Sequence, residues 1–209
     1  MKTVKATLVA ACILLGVFQS FSMAQSSADS IRIIDVKLEK ISLPNEAGRS
    51  PAVAKELGED WYMAEVHFST PLSKGSSADS IIEELQVKFY VDGLDSLKSD
   101  TFVVLTGEQT YLNVPNGEHY ATMYLDPMSL IRYGGKKEQA RGFKKSNFHA
   151  EILVAGKVEA QKSKNERTEK DDPNWFTQGQ QLPGILIGLR ESPWWPFEAK
   201  RYNRIKVKN

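Results

Sequence analysis

The chain has 209 residues, with 27 Lys and Arg against 26 Asp and Glu, and a single cysteine. This near-balance of charge argues against nucleic acid as a partner, because phosphate binding calls for a basic excess. The length suits one domain with a real core rather than two generous ones.

Residues 1–24 read as a signal peptide. Lys2 and Lys5 form a charged leader, Thr7 to Phe21 an apolar stretch, and Ser22 and Ala24 hold the small-residue positions of a cleavage site. The apolar run of roughly 15 residues is shorter than the ~20 that a helix needs to span hydrocarbon, so contact with a membrane is expected only if this segment stays uncleaved. Val9-Ala10-Ala11-Cys12 looks like a lipid-attachment box, yet Ile13, Leu14, Leu15, Val17 and Phe18 continue the apolar run past it. Cleavage after Ala24 would therefore remove the one cysteine and leave a chain that no disulfide can hold. Residues 25–209 then carry 25 basic residues (27 less Lys2 and Lys5) against 26 acidic ones. The expectation is an exported protein, in the periplasm, at the cell surface or outside the cell, with residues 25–209 forming a single β-sandwich domain.

Strand signals dominate the chain beyond the leader. A strand is expected over Ile31 to Ile41. The next marked element is a short helix, with Ser50 as its cap, Pro51 in the first position, a body to Leu57 and Gly58 as its stop. From Trp61 to Ser69 the period is two: Tyr62, Ala64, Val66 and Phe68 share one face, and Met63, Glu65, His67 and Ser69 the other, polar one. Leu85, Val87, Phe89 and Val91 alternate with Gln86, Lys88, Tyr90 and Asp92 in the same way. Strands are expected at Thr101 to Leu105, Gln109 to Val114 and His119 to Leu125, with turns at Val114-Pro115-Asn116-Gly117 and Asp126-Pro127. Phe148, Ala150, Ile152 and Val154 alternate with His149, Glu151, Leu153 and Ala155, and a turn at Gly156-Lys157 would return the chain through Val158 and Ala160. Ser-Ser-Ala-Asp-Ser-Ile occurs at both 26–31 and 76–81, each time leading into a strand; two copies of a Ser-rich leader fall short of a structural repeat.

Lys157 to Asp172 is dense in mixed charge and reads as a solvated hairpin end or loop. From Pro173 the chain changes character, with three of the four tryptophans and four of the nine prolines. Residues 174–209 are expected to form an extended C-terminal strap across the sandwich, closing in a strand at Arg204 to Lys208. Many short strands, frequent turns and one short helix point to an all-β sandwich or barrel.

Little in the sequence points to catalysis. There is no Gly-x-Ser-x-Gly elbow for a nucleophilic serine and no phosphate-cradling glycine loop. Neither a cofactor nor a metal is expected: His67, His119 and His149 all fall in strands, with Glu65 and Glu151 two residues from His67 and His149, but none of the tight spacings of zinc motifs is present. A glycosidase would need two carboxylates facing each other; Glu83-Glu84, Asp95-Asp100 and Asp171-Asp172 lie near turns or strand ends, where acidic side chains are commonly solvated. Two binding features stand out. Trp194, Trp195, Phe197 and Tyr202 form a Pro-flanked aromatic cluster that could stack on sugar rings or pack down over an open end of the sandwich. Lys136, Lys137, Arg141, Lys144 and Lys145 form a basic run with one acid, Glu138, that could contact an anionic glycan or lipid surface.

The tail Gly184-Ile185-Leu186-Ile187-Gly188-Leu189-Arg190-Glu191-Ser192-Pro193, followed by Arg201-Tyr202, resembles that of small secreted β-sandwich proteins of verrucomicrobial, Akkermansia-type bacteria. Members of this group are immunoglobulin-like and associated with a type IV pilus-like system. The resemblance implies an immunoglobulin-like β-sandwich, a place in a pilus-like assembly and no catalytic residues; the paired cysteines of antibody domains are missing here. The preferred expectation is thus a secreted, non-enzymatic accessory or structural component of a cell-surface or pilus-like assembly, acting through protein–protein contacts with other surface proteins. A glycan-binding module built on the aromatic cluster is the alternative, and a carbohydrate-active hydrolase the next.

Overall fold

The computed structural model describes residues 30–42, 61–71, 81–134, 147–164, 174–196 and 206–207. The strands among them are β1 (Arg32–Ile41), β2 (Trp61–Thr70), β3 (Ile81–Asp95), β4 (Thr101–Pro115), β5 (Gly117–Leu125), β6 (Phe148–Val154), β7 (Lys157–Lys164), β8 (Gln180–Pro183), β9 (Ile187–Gly188) and β10 (Lys206–Val207). They form an all-β sandwich. One sheet runs β1-β2-β5-β9; the other runs β10-β4-β3-β6-β7, with β8 added beside β4.

Alternation determines which faces meet. Val66 pairs with Val36 on one side and Ala121 on the other, and all three are buried, as are Phe68, Leu85, Val87, Phe89, Val91, Phe148, Ala150 and Ile152. Each fully buried Val, Leu, Ile or Phe contributes about 1.5–3 kcal/mol. Because side chains alternate with a period of two, a one-residue slip of β2 would turn Val66 and Phe68 to the outside, which fixes the register.

Four expectations are corrected. Thr101 to Leu105 and Gln109 to Val114 are not two strands but one, β4, because Val103, Leu105, Gly107, Gln109 and Tyr111 keep one face of the alternation across Gly107. Asp126-Pro127 is no turn but the start of the helix α1 (Pro127–Tyr133): the Asp126 carboxylate accepts the Met128 and Ser129 amides, and proline occupies the first helical turn, where no N–H partner is needed. The β6–β7 hairpin turns on Ala155-Gly156, both at positive φ, one residue before Gly156-Lys157, and Val154 pairs with Lys157. Asp95 is buried, not solvated; it accepts the Leu97 amide, and Lys98 and Arg132 lie 4.0 Å from its carboxylate. The expected helix at 50–58 lies outside the described residues.

The two sheets meet differently along their two sides. On one side β1 and β7 adjoin, and the Lys162 ammonium hydrogen-bonds the Ile34 carbonyl. Both strands are charged, and the β1 ladder has an irregularity between Ile33 and Asp35; charges and bulges of this kind deter further strand pairing. On the other side the C-terminal strap closes the gap. Trp175 and Phe176 cover Val104 on the outer face of the second sheet, β8 pairs with β4, β9 pairs with β5, Leu189 and Trp194 cover Tyr124 on the outer face of the first sheet, and β10 returns to β4.

Candidate functional site

The strap leaves the β4 edge at a defined point. β8 runs parallel to β4, pairing Val103 with Gln180 through to Thr106 with Pro183. Pro183 has no N–H to continue the ladder, and Gly184, at φ +77, adopts a left-handed turn that glycine accommodates without strain. The chain then crosses to β5, where Tyr124 pairs with Ile187 and Met123 with Gly188. The crossing is anchored by Leu186, buried in the main core. It fits because residue 107 is a glycine: a Cβ there would lie 2.5 Å from the Met123 sulfur and 2.8 Å from the Leu186 Cβ.

β10 pairs antiparallel with β4 further along, Lys206 with Leu112 and Val207 with Tyr111. Among the described residues, Gly107–Thr110 has no strand on this side. Here lies a groove of about 850 Å³, with Thr106–Thr110 as its floor, Lys88 and Tyr90 of β3 on one side, and the strap from Gln181 to Glu191 on the other. Both charge signs line it: Lys88 and Arg190 against Glu108 and Glu191. Its furnishings are hydrogen-bonding groups rather than a nucleophile with a base.

Beside the groove, Tyr90 donates a hydrogen bond to Glu151 at 2.9 Å. Burial, then this carboxylate, pushes the Tyr90 phenol well above its ordinary value, so it remains a donor at any physiological pH. The Tyr90 ring meets both His149 and Phe176, and Phe176 lies flat on the His149 imidazole at 3.6 Å. His149 Nδ1 contacts the Ser163 hydroxyl at 2.6 Å, while Nε2 sits 3.8 Å from the Glu151 carboxylate. Burial lowers the His149 pKa, with Glu151 pulling the other way.

A protein-family model matches residues 22–209, nearly the whole chain. The chain belongs to that family. Eight chains of solved structures also match. One is a protein of Akkermansia muciniphila, 23% identical, the match covering 86% of this chain and 93% of that one at a TM-score of 0.61. At that identity the likeness shows a shared fold. No curated protein matches.

Within this family fold, the residues singled out in the sequence take up separate places. Trp194 is 7% exposed, stacked on Tyr124 at 5.3 Å and edge-on to Trp61 at 5.2 Å. It therefore packs on the outer face of the first sheet and not over an open end, and its ring has no free face for a sugar. Trp195 is half-buried, with the Arg190 guanidinium over its ring at 5.4 Å. Phe197, Tyr202, Lys136, Lys137, Arg141, Lys144 and Lys145 lie outside the described residues. His149 is on the outward face of β6, as its position implies, but is buried there by Phe176 rather than exposed. His67 is on the outer face of the other sheet, 3.2 Å from Glu118 and stacked on Tyr120, so it and His149 cannot share a ligand. No cluster of three or more His, Cys, Asp or Glu placed to hold a metal occurs among the described residues, and no helix there is long and apolar enough to cross a membrane.

The groove was missed in the sequence because Gly107 reads as a break between two strands. The signal that would have found it is the unbroken inward row Val103, Leu105, Gly107, Gln109, Tyr111, together with Leu182-Pro183-Gly184, where a strand pairing must end.

Proposed function

We propose that this chain is an exported, non-catalytic, immunoglobulin-like β-sandwich that serves as an accessory or structural component of a cell-surface, pilus-like assembly through protein–protein contacts. Three things support the reading. Residues 1–24 have the composition of an export leader, and the family match begins at Ser22, where the apolar run has ended. The tail resembles that of secreted pilus-associated proteins, and the fold is shared with a protein of Akkermansia muciniphila. The order β1-β2-β5 against β4-β3-β6-β7 has the Greek-key crossings of immunoglobulin-like sandwiches, with the fourth strand beside the third as in their C′ position.

The observation that carries the reading is the contrast between the blunted edges of β1 and β7 and the groove beside β4. β1 and β7 are charged and tied to each other, whereas the groove along Thr106–Thr110 is lined by both charge signs, Lys88 and Arg190 with Glu108 and Glu191. A groove of mixed charge beside blunted strand edges is the kind of surface through which a sandwich meets other chains. Trp194's burial weighs against a glycan platform built on the C-terminal aromatics.

The test is fractionation of the native cells combined with chemical cross-linking and immunoblotting. The expected result is a chain shortened by its leader, outside the cytoplasm and cross-linked to other exported proteins. A cytoplasmic chain, or an exported one that cross-links to no other protein, would overturn the reading.

A further inference from the structure

We propose that the stretch from Trp175 to Pro183 is an acid-sensitive clasp: protonation of His149, which lies beneath the Phe176 ring, lifts this part of the strap from the second sheet as a unit while the sandwich stays folded. The device is independent of what the chain contacts. It differs from a general loss of stability in acid because the opening is local.

The surroundings of His149 suit a neutral ring and not a charged one. The side chain is 3% exposed, with Phe176 flat on it at 3.6 Å and the Tyr90 ring tilted against it at 5.6 Å. Nδ1 is engaged by the Ser163 hydroxyl at 2.6 Å. Nε2 is buried without a hydrogen-bond partner: the Glu151 carboxylate stands 3.8 Å away, too far for a hydrogen bond, and already accepts from Tyr90. Whichever nitrogen holds the proton in the neutral ring, the cation holds both, so acid creates a buried N–H donor with no acceptor, and that is costly. The Phe176 face attracts a cation, yet with the two planes only 6° apart the in-plane N–H cannot reach it. Of the charged groups around the ring, Glu151 on β6 favours the cation, and Lys88 of β3, opposite Glu151 in the ladder, works against it. Glu108 of β4 lies one strand further off, opposite Lys88. β7 sets neutral Ser163 and Gln161 opposite His149 and Glu151, and the turn Trp175–Thr177 brings no charge. Burial outweighs Glu151 and holds the neutral form.

The stretch is attached in a way that lets it leave alone. Trp175 and Phe176 pack with Val104, Tyr90 and Phe102 in a cluster of their own, apart from the core between the sheets. β8 adds four residues in a parallel ladder, the less stable kind of pairing. Gln180, Gln181 and Pro183 are exposed, and Leu182 is the member of β8 that reaches the main core. Gly184, at φ +77, forms the joint, and Leu186 beyond it is held in the main core. Segments with few buried apolar contacts open at a lower free energy than the whole fold. Opening here gives water access to Nε2 and uncovers Val104 together with the β4 edge at Val103–Thr106, so acid exposes a strand edge that neutrality keeps covered.

The experiment follows amide hydrogen exchange of the full chain by NMR from neutrality down to about pH 5, the range in which histidine changes charge, with each rate corrected for the intrinsic effect of pH. The unfolded value of a histidine is about 6.5 and the folded value of His149 lies below it, so the clasp is fully closed above that pH and opens as pH falls. Linkage to one proton gives the expected size: the outward amides of Val103–Thr106 and the paired amides of β8 lose protection by up to roughly tenfold per pH unit below about 6.5. The amides that join β3 to β6 between Leu85 and Val91 stay far better protected throughout. His149→Phe keeps a ring beneath Phe176 and cannot titrate, and in it the acid-dependent loss disappears. Should that variant fail to fold, the ring-proton titration of His149 in the unaltered chain decides, since the loss of protection must follow the same curve. The proposal is overturned if β8 and the β3–β6 ladder exchange with one and the same opening free energy, if protection at Val103–Thr106 does not change with pH, if His149→Phe retains the acid-dependent loss, or if His149 titrates outside the range in which protection falls.

Discussion

The indole of Trp194 lies parallel to the Tyr124 ring, planes 4° apart and centroids 5.3 Å apart, on the outside of the first sheet. The contact joins the strap to a strand that it does not otherwise pair with beyond Met123 and Tyr124. The tail is therefore part of the sandwich's stability and not an appendage.

Trp194→Ala should destabilise the chain by about 3–5 kcal/mol, the range for truncating a large buried aromatic, with a clear fall in melting temperature. Trp195→Ala, at a half-buried ring, should cost markedly less. Thermal denaturation monitored by near-ultraviolet circular dichroism checks both; equal effects would mean that the two rings are equally packed.

Gly107→Ala should cost about 1–3 kcal/mol by overpacking, because the added methyl would fall 2.5 Å from the Met123 sulfur. Shortening that side chain with Met123→Ala in the same protein should make the two changes less harmful than their separate sum. A strictly additive double-mutant cycle in urea would show that the two positions do not meet.

The aromatic lid over His149 should loosen in acid. Burial holds the folded-state pKa of His149 below its ordinary 6.5, so the unfolded chain binds the proton more readily. Stability is then fully present above about pH 6.5 and is lost as pH falls from there through the folded-state value. His149→Phe should flatten this part of the pH–melting curve, which a series of melts between neutrality and mild acid would reveal. An unchanged slope in the variant would place the titration elsewhere.

Asp126→Ala should remove the cap of α1 at a cost of about 1 kcal/mol, while Asp126→Asn, which keeps an acceptor, should lose less. Chemical denaturation of the two variants, compared at the same pH, gives the difference directly.

The faces of β2, β3 and β6 were legible because a half-buried strand displays its core side every second residue. What covers the outward side was not, because the covering residue comes from far along the chain: Phe176 over His149, Trp194 over Tyr124. Local alternation marks His149 as outward and is right about direction, yet says nothing of a lid supplied 27 positions later. Asp126-Pro127 failed for a different reason. The same two residues open a turn or a helix, and α1 is only 7 residues long, too short for a 3.6-residue period to declare itself. In the candidate site, Gly107 looked like an interruption because glycine weakens a strand; its reason for being there is Leu186, whose approach only the folded strap brings about.

Amide hydrogen exchange on the full chain bears most directly on the central claim, that the C-terminal strap is an integral part of the sandwich and pairs with the edges of both sheets. The outward amides among Val103–Thr106 and Tyr111–Leu112 should be protected by β8 and β10, and those of Met123 and Tyr124 by β9. Rapid exchange at all of these positions would mean that the strap does not hold the sheet edges, and would contradict the account.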